Sequence, residues 1–483
     1  MGMDLITNIL NDINLRESLI ALKAENNDKL IKGNHELKNK LILLLSHEDP
    51  KVRKNAALLM GNYEDCIPYL LDAYKNDNTE YVKDAYLKSI SLHDCRYYLD
   101  ELKSIQLSCM NNDEVSTKHI QSQLKILNPL LLKYNARKKK VVLLKHPYVD
   151  VILTTLPYYQ YVTFEHVIPL KYKPVSQGVL VRTSSVYDLQ KIRVYKEMLF
   201  PIGVSLIPQN VEDIEKALRQ SSLLDVLQRL YNDDSPFYYK VVDGLREKSS
   251  ELTKAVSTKV FEIFGGKLLN SAENYDIEIV LKEVKQGSVN IYLKLTHFDN
   301  SRFQYRKHAI ANTMHPYVAA TLVQLASPYM IEDAKVLDPF AGVGTLLIEK
   351  NVVKPSHFSM GLDIFGQGIE MAKKNAKIAN QNIHFVHKDT LRFTNTEPFD
   401  EIITDMPTFA QMKDQDKLAD LYDRFFARIH RLVRPGGYVF LYTSEIALVR
   451  KNLRLQQGYL ALEEHYDIPR GKNMFYFFIV KVK

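Results

Sequence analysis

At 483 residues, with 46% hydrophobic and 25% charged positions, the chain has the composition of a soluble globular protein with room for about three domains. No apolar run approaches the roughly 18 residues that a bilayer-spanning helix needs, and the first residues lack the basic-then-apolar pattern of a secretory leader, so a membrane partner is not expected. The net charge of +7 suits a nucleic-acid partner without demanding one, and the three cysteines, Cys66, Cys95 and Cys109, at no metal-ligand spacing, read as reduced thiols of a cytoplasmic protein.

Residues 1–135 are helical in pattern throughout, with a repeat of about 30 residues. One unit opens at Asp49-Pro50 and places Val52, Ala56, Leu59 and Met60 on one face. The next opens at Thr79-Glu80 and places Val82, Tyr86 and Ile90 on the matching face. Second helices are expected at 67–74 and 96–105. Such helix pairs resemble HEAT repeats, which stack to bury their faces and present a surface for a protein or a shaped nucleic acid. An irregular helical bundle is the alternative.

The run Arg137-Lys138-Lys139-Lys140 marks a boundary; it reads either as a phosphate-facing segment or as a solvated linker. From 140 to 305 short strands alternate with helices. Strands are expected at 149–156, 178–182, 237–242, 275–281 and 288–295, and helices at 186–199, 211–230 and 251–264. The stretch 270–280 with 291–295, ending in Phe303-Gln304-Tyr305-Arg306-Lys307, resembles a THUMP-type RNA-binding module after a small ferredoxin-like domain. A generic α+β domain is the reading without that resemblance.

A helix over 308–327, containing His315-Pro316, leads into the most informative part of the chain. Residues 335–337 are strand-like and 346–350 helix-like. Between them runs Asp338-Pro339-Phe340-Ala341-Gly342-Val343-Gly344-Thr345. A chain leaving a buried strand for a helix needs a tight turn, and glycine allows both the turn and close ligand approach. The helix start presents free N–H groups, while Asp338 adds a negative charge, a combination suited to a cationic, amine-bearing ligand. Leu347 stands where a dinucleotide fingerprint needs its third glycine, and no phosphate loop is present.

Three further strands end in acids. They run 358–363 to Asp363, 383–389 to Asp389 and 399–405 to Asp405, with helices at 368–380 and 418–432, a turn at 434–437 and a strand at 438–442. This alternation implies a parallel sheet whose ligands bind beyond the carboxyl ends of its strands, so the four acids are expected at one crevice. Taken singly, each is equally a helix cap or turn former.

Residues 338–345 resemble the cofactor loop of S-adenosylmethionine-dependent methyltransferases. The resemblance implies that Phe340, Ala341, Gly342, Gly344 and Thr345 line the cofactor, that Asp363 with Ile364 meets its ribose, and that Asp389 meets its adenine amine. Asp405-Met406-Pro407-Thr408 is similar to the Asp/Asn-Pro-Pro-Tyr/Phe motif of enzymes that methylate exocyclic base nitrogens. Met406 replaces the first proline and Thr408 the aromatic, with Phe409 next along as a candidate stacking face. Segments 460–467 and 474–482 resemble the last two strands of that fold. Tyr466 and Arg470-Gly471-Lys472 read as either RNA-facing or simply solvated.

The expected whole is a multidomain chain. All-α HEAT-like repeats occupy 1–135, an α+β ferredoxin-like and THUMP-like RNA-binding region occupies 140–305, and an α/β Rossmann-like seven-stranded methyltransferase domain occupies 306–483. The resemblance implies an RNA methyltransferase acting on an exocyclic nitrogen, guanine N2 in tRNA. Asp405 and the Pro407 carbonyl would accept the amine's N–H bonds, Thr408 and Phe409 would complete the catalytic turn, and no metal would be needed. Two alternatives remain: a DNA amino-methyltransferase, and a non-enzymatic RNA- or protein-binding scaffold whose site Met406 and Thr408 have degraded.

Overall fold

The computed structural model describes residues 2–25, 28–110, 118–134, 140–271, 273–298, 301–310, 313–471 and 473–483. Arg137, Lys138, Lys139 and Lys472 lie outside the described residues. Lys140, the last of the basic run, does not face solvent: its ammonium lies 2.8 Å from Asp233 and 4.0 Å from the centre of the Phe237 ring. It therefore carries no free charge to a phosphate.

Two compact units divide the chain, Met1–Val141 with Ile202–His297, and Val142–Pro201 with Phe298–Lys483. The contiguous boundaries 1–135, 140–305 and 306–483 do not follow this grouping, because the expected middle region is shared between both units.

The first unit opens with paired helices. Asp49 accepts the Lys51 N–H at 2.8 Å, and Pro50 begins Pro50–Met60, because proline loses nothing where an N–H would be unpaired anyway. Ile67–Asn76, Glu80–Ile90 and Leu99–Met110 follow. Val52, Ala56, Leu59, Met60, Val82, Tyr86 and Ile90 are all buried in one core, as the apolar periodicity requires. Cys66, Cys95 and Cys109 are buried, free thiols. Further along, Ile207–Pro208, Ser288–Leu295, Ile277–Lys285, Phe237–Gly244 and Leu268–Asn270 pair in that order. The helix expected at 211–230 is two, Val211–Arg219 and Leu223–Tyr231. The Ser222 N–H leaves the helical ladder for the Ile202 carbonyl at 2.9 Å.

In the second unit, Lys171–Val175, Gly178–Thr183, Val149–Thr154 and Met198–Pro201 form a small antiparallel sheet. The helix expected at 186–199 is absent. A 3-10 turn, Asp188–Lys191, and the strand Met198–Pro201 take its place. The cause is a distant residue: the buried Arg302 guanidinium takes the carbonyls of Ile192 (3.2 Å) and Tyr195 (2.8 Å), which a helix would need for itself.

The C-terminal sheet positions the site. Its elements are α1 (Pro316–Ala326), β1 (Lys335–Asp338), α2 (Thr345–Val353), β2 (Phe358–Asp363), α3 (Gly366–Ile378), β3 (His384–His387), β4 (Phe399–Asp405), α4 (Phe409–Met412), α5 (Gln415–Phe426), β5 (Val433–Thr443), α6 (Ile446–Leu455), β6 (Leu460–Arg470) and β7 (Asn473–Val482). The strand order is β3-β2-β1-β4-β5-β7-β6, with β7 and β6 antiparallel. This is a Rossmann-like sheet whose order reverses between β1 and β4, where such sheets open a ligand crevice. The expected turn at 434–437 lies inside β5, beside an irregularity in its pairing with β4. Gly437 makes this possible, since a Cβ there would fall 2.4 Å from the Asp400 carbonyl.

Glu349 on α2 is fully buried. It takes Arg193 through two bonds, at 2.7 and 2.8 Å, and Tyr305 at 2.6 Å. A buried carboxylate with three charge-assisted or hydroxyl donors is a fixed joint. It ties the small antiparallel sheet and the segment before α1 to the helix that follows the cofactor-like loop.

Candidate active site

The loop between β1 and α2 divides its two glycines between two tasks. Gly344 (φ +82°) packs: a Cβ there would fall 2.7 Å from the Phe385 ring. Gly342 (φ +53°) meets nothing within 4 Å, so its face is open to a ligand. The Gly342 N–H is held by Asp363 Oδ2 at 2.8 Å, while Asp363 Oδ1 accepts the Phe365 N–H at 2.8 Å. Asp363 therefore clamps the loop from β2.

Asp338 is 1% exposed and accepts from Phe340 N–H (3.1 Å) and Thr404 Oγ1 (2.7 Å). Burial, with the Asp363 and Asp405 charges adding to it, pushes its carboxyl up to about 8. Asp405, at the end of β4, is pushed up to about 7 by burial, against the opposing charge of Arg470. Asp389 lies just past β3 and accepts the Leu391 N–H at 2.8 Å. All four acids line one cleft of about 700 Å³. Phe340, Ala341, Gly342, Thr345, Ile364 and Pro407 line it too. The Thr345 hydroxyl, at the start of α2, is buried without a hydrogen-bond partner.

Three expected residues stand elsewhere. Gly344 supports the wall from behind. Thr408 is buried at the N-cap of α4, its backbone N–H bound to Gln411 Oε1 at 2.8 Å. Phe409 is 46% exposed and gives its N–H to Glu445 at 3.0 Å; it does not line the cleft, so it offers no stacking face there. The physical reason is the capping turn, which starts a helix at Phe409 and carries its ring away. Met406 is wholly buried in the core under the sheet. The Pro407 carbonyl accepts Tyr422 Oη at 2.9 Å, which leaves one of its lone pairs.

Sequence reading missed Met314, Thr390, Gln411, Met412 and Lys417, which complete the cleft. None belongs to a motif. They come from the segment before α1, the turn after β3, and α4 and α5, so only the closed fold assembles them. Among the described residues no cluster of three or more His, Cys, Asp or Glu has a metal-holding arrangement, and no helix is long and apolar enough to cross a membrane.

An open glycine, an unpaired hydroxyl and two acids starved of counter-charge fit a cationic ligand with hydroxyl and amine groups. Residues 304–464 match the model of the UPF0020 family, the RMKL-like methyltransferase domain. A tRNA (guanine(6)-N2)-methyltransferase of Thermus thermophilus is 28% identical over 176 residues, which is 35% of this chain and 51% of that protein. The chain thus spans about half the length of that curated relative. Among solved structures, TrmN from Thermus thermophilus aligns with a TM-score of 0.54 at 20% identity, covering 70% of this chain and all of that one. SMU.472, solved in complex with SAH, aligns with a TM-score of 0.54 at 12% identity, covering 71% of this chain and 98% of its own. At these identities the likeness establishes the fold of a methyltransferase-type domain.

Proposed function

We propose that this protein is an S-adenosylmethionine-dependent methyltransferase acting on an exocyclic base nitrogen of RNA, guanine N2 in tRNA, in the cytoplasm. The observation that carries the reading is Asp405: a carboxylate at the end of β4, at the sheet's switch point, in one cleft with the loop acids Asp338, Asp363 and Asp389. The Thermus relative's activity and the SAH held by SMU.472 support the same assignment.

S-adenosylmethionine, when bound, supplies a methyl group already activated on a sulfonium. Asp363 and Asp389 accept from its hydroxyl and amine groups, and the open face at Gly342 admits it. Asp338 contributes negative charge from below the loop. Asp405 accepts one N–H of the target amine, and the remaining lone pair of the Pro407 carbonyl accepts the other. That pair of acceptors favours a pyramidal nitrogen and stabilises positive charge as it develops there. The rest of the rate enhancement is alignment of the nitrogen with the methyl group. The first unit and the small antiparallel sheet supply the RNA-recognition region in this reading, with HEAT-like and THUMP-like modules as its parts.

The test is tritiated methyl transfer to undermethylated tRNA, with nucleoside analysis of the product and DNA as the comparison substrate. N2-methylguanosine made by the wild type and lost in Asp405→Ala is expected. Equal transfer to DNA overturns the RNA assignment, and undiminished transfer by Asp405→Ala overturns the mechanism. The places of Thr408 and Phe409, outside the cleft, favour a second reading, a binding scaffold. Calorimetry that finds no S-adenosylmethionine binding would select it.

A further inference from the structure

Asp405 accepts no hydrogen bond from any described residue, although it sits deep in the cleft. Its register partner on the neighbouring parallel strand β5 is Tyr442. Partners at one register of a parallel pair leave the sheet on the same face. Tyr442 is completely buried, and its hydroxyl is an orphan, with no hydrogen-bond partner of ordinary geometry. Its ring is fixed by stacking on Phe475 at 5.1 Å and 15°. Phe475 also carries the Arg470 guanidinium at 5.3 Å from its ring centre. Arg470 acts electrostatically on both Asp405 and Tyr442, but a guanidinium has only donors, so it cannot take the Tyr442 proton.

An empty acceptor and an orphaned donor thus sit at the same register of adjacent strands. We propose that Tyr442 is the positioning residue for Asp405: its hydroxyl donates to the ionised Asp405 carboxylate and, with the Arg470 charge, holds that carboxylate toward the incoming base amine. The inference rests on the base-methylation reading for its purpose, not for its chemistry. Burial makes the ionised carboxylate unfavourable, and a hydrogen bond from a neutral phenol restores it without adding a charge. The other titratable groups in electrostatic reach are Asp338 on β1 and Tyr422 on α5; Arg470 also reaches His315 and Tyr317 at the start of α1. Tyr442 differs from these in being a register partner of Asp405 with an unclaimed proton.

Two readouts on the full chain test it. The first needs no activity: the infrared carboxyl band of Asp405, isolated by subtracting the spectrum of Asp405→Asn, is followed across pH. The wild-type midpoint is expected near 7. Tyr442→Phe, which removes only the hydroxyl, moves it upward, and Arg470→Gln, a second variant, moves it the same way. An unchanged midpoint in Tyr442→Phe overturns the inference. The second readout is kcat for methyl transfer to a tRNA transcript. Tyr442→Phe shifts its acidic limb upward, about tenfold slower at pH 7 and recovering by pH 9, with unchanged affinity for S-adenosylmethionine. A merely structural role would lower kcat equally at every pH, and that result also overturns the inference. Wild-type protein that shows the infrared shift but transfers no methyl group to RNA leaves the hydrogen bond in place and removes the base-methylation reading.

Discussion

Two buried aspartates, one in each unit, have opposite electrostatics. Asp77, among the paired helices, receives Arg53 Nε at 2.8 Å and Nη2 at 2.9 Å, the Thr79 N–H at 2.8 Å and the Tyr86 hydroxyl at 2.7 Å. Burial works against its charge, yet these bonds win and hold its carboxyl below the usual range. Asp338 has two donors and no cation, and burial pushes it up to about 8. Asp405 has no hydrogen-bond donor and is pushed up to about 7. Depth alone therefore does not decide the charge of a buried acid; its donor set does. A structural acid is complete within the protein, whereas an acid meant for a ligand keeps its valence open.

The largest effect should come from the open end of this contrast. Asp405→Ala is expected to cut methyl transfer by roughly 10²–10³-fold, measured as tritium in tRNA, because it removes an acceptor aimed at developing positive charge. The closed end should answer differently. Asp77→Ala strands Arg53 and should cost about 3 kcal/mol in urea unfolding, with S-adenosylmethionine affinity unchanged by calorimetry. If it instead weakens cofactor binding, the two acids are not separable as structural and functional.

Asp338→Asn keeps the groups that meet Thr404 and Phe340 but cannot ionise. The folded protein raises the Asp338 pKa above its unfolded value of about 4, so folding favours the protonated form. The ligand-free wild type should lose stability as pH rises from about 4 to about 8, and Asp338→Asn should flatten that slope in thermal melts. Asp77 has the opposite sign, contributing stability above about pH 4 that disappears as pH falls. A cationic ligand needs the ionised cleft. S-adenosylmethionine affinity should therefore rise from pH 6 to pH 8.5 with proton release, and calorimetry in buffers of different ionisation enthalpy reads that release. Asp338→Asn should bind about tenfold more weakly at pH 8, the loss of one charge interaction of about 1.4 kcal/mol. Smallest is Gly342→Ala. Its φ of +53° strains alanine by about 1 kcal/mol, with a few-fold loss of cofactor affinity and little change in the core.

What could be read in the sequence was local. The run from Asp338 to Thr345 announces a strand, a turn and a helix through its glycines, and the acids at 363, 389 and 405 follow strands whose apolar runs mark them. What could not be read depends on distant groups. Helix periodicity at 186–199 was real, but Arg302, more than a hundred residues later, claims the carbonyls. Phe409 follows the motif in sequence, yet the α4 cap turns it outward. The middle of the chain is divided between two units because Glu349 and Arg302 hold part of it to the C-terminal sheet.

The sequence by itself determined which residues carry the chemistry and which ends of which strands they occupy, since backbone conformation and apolar periodicity are properties of short segments. Only the tertiary structure decided that Asp338, Asp363, Asp389 and Asp405 share a cleft, that Asp405 lies beside Tyr442, and that its charge is disfavoured. Proximity and desolvation arise when distant segments close on one another and exclude water, and no local pattern encodes either.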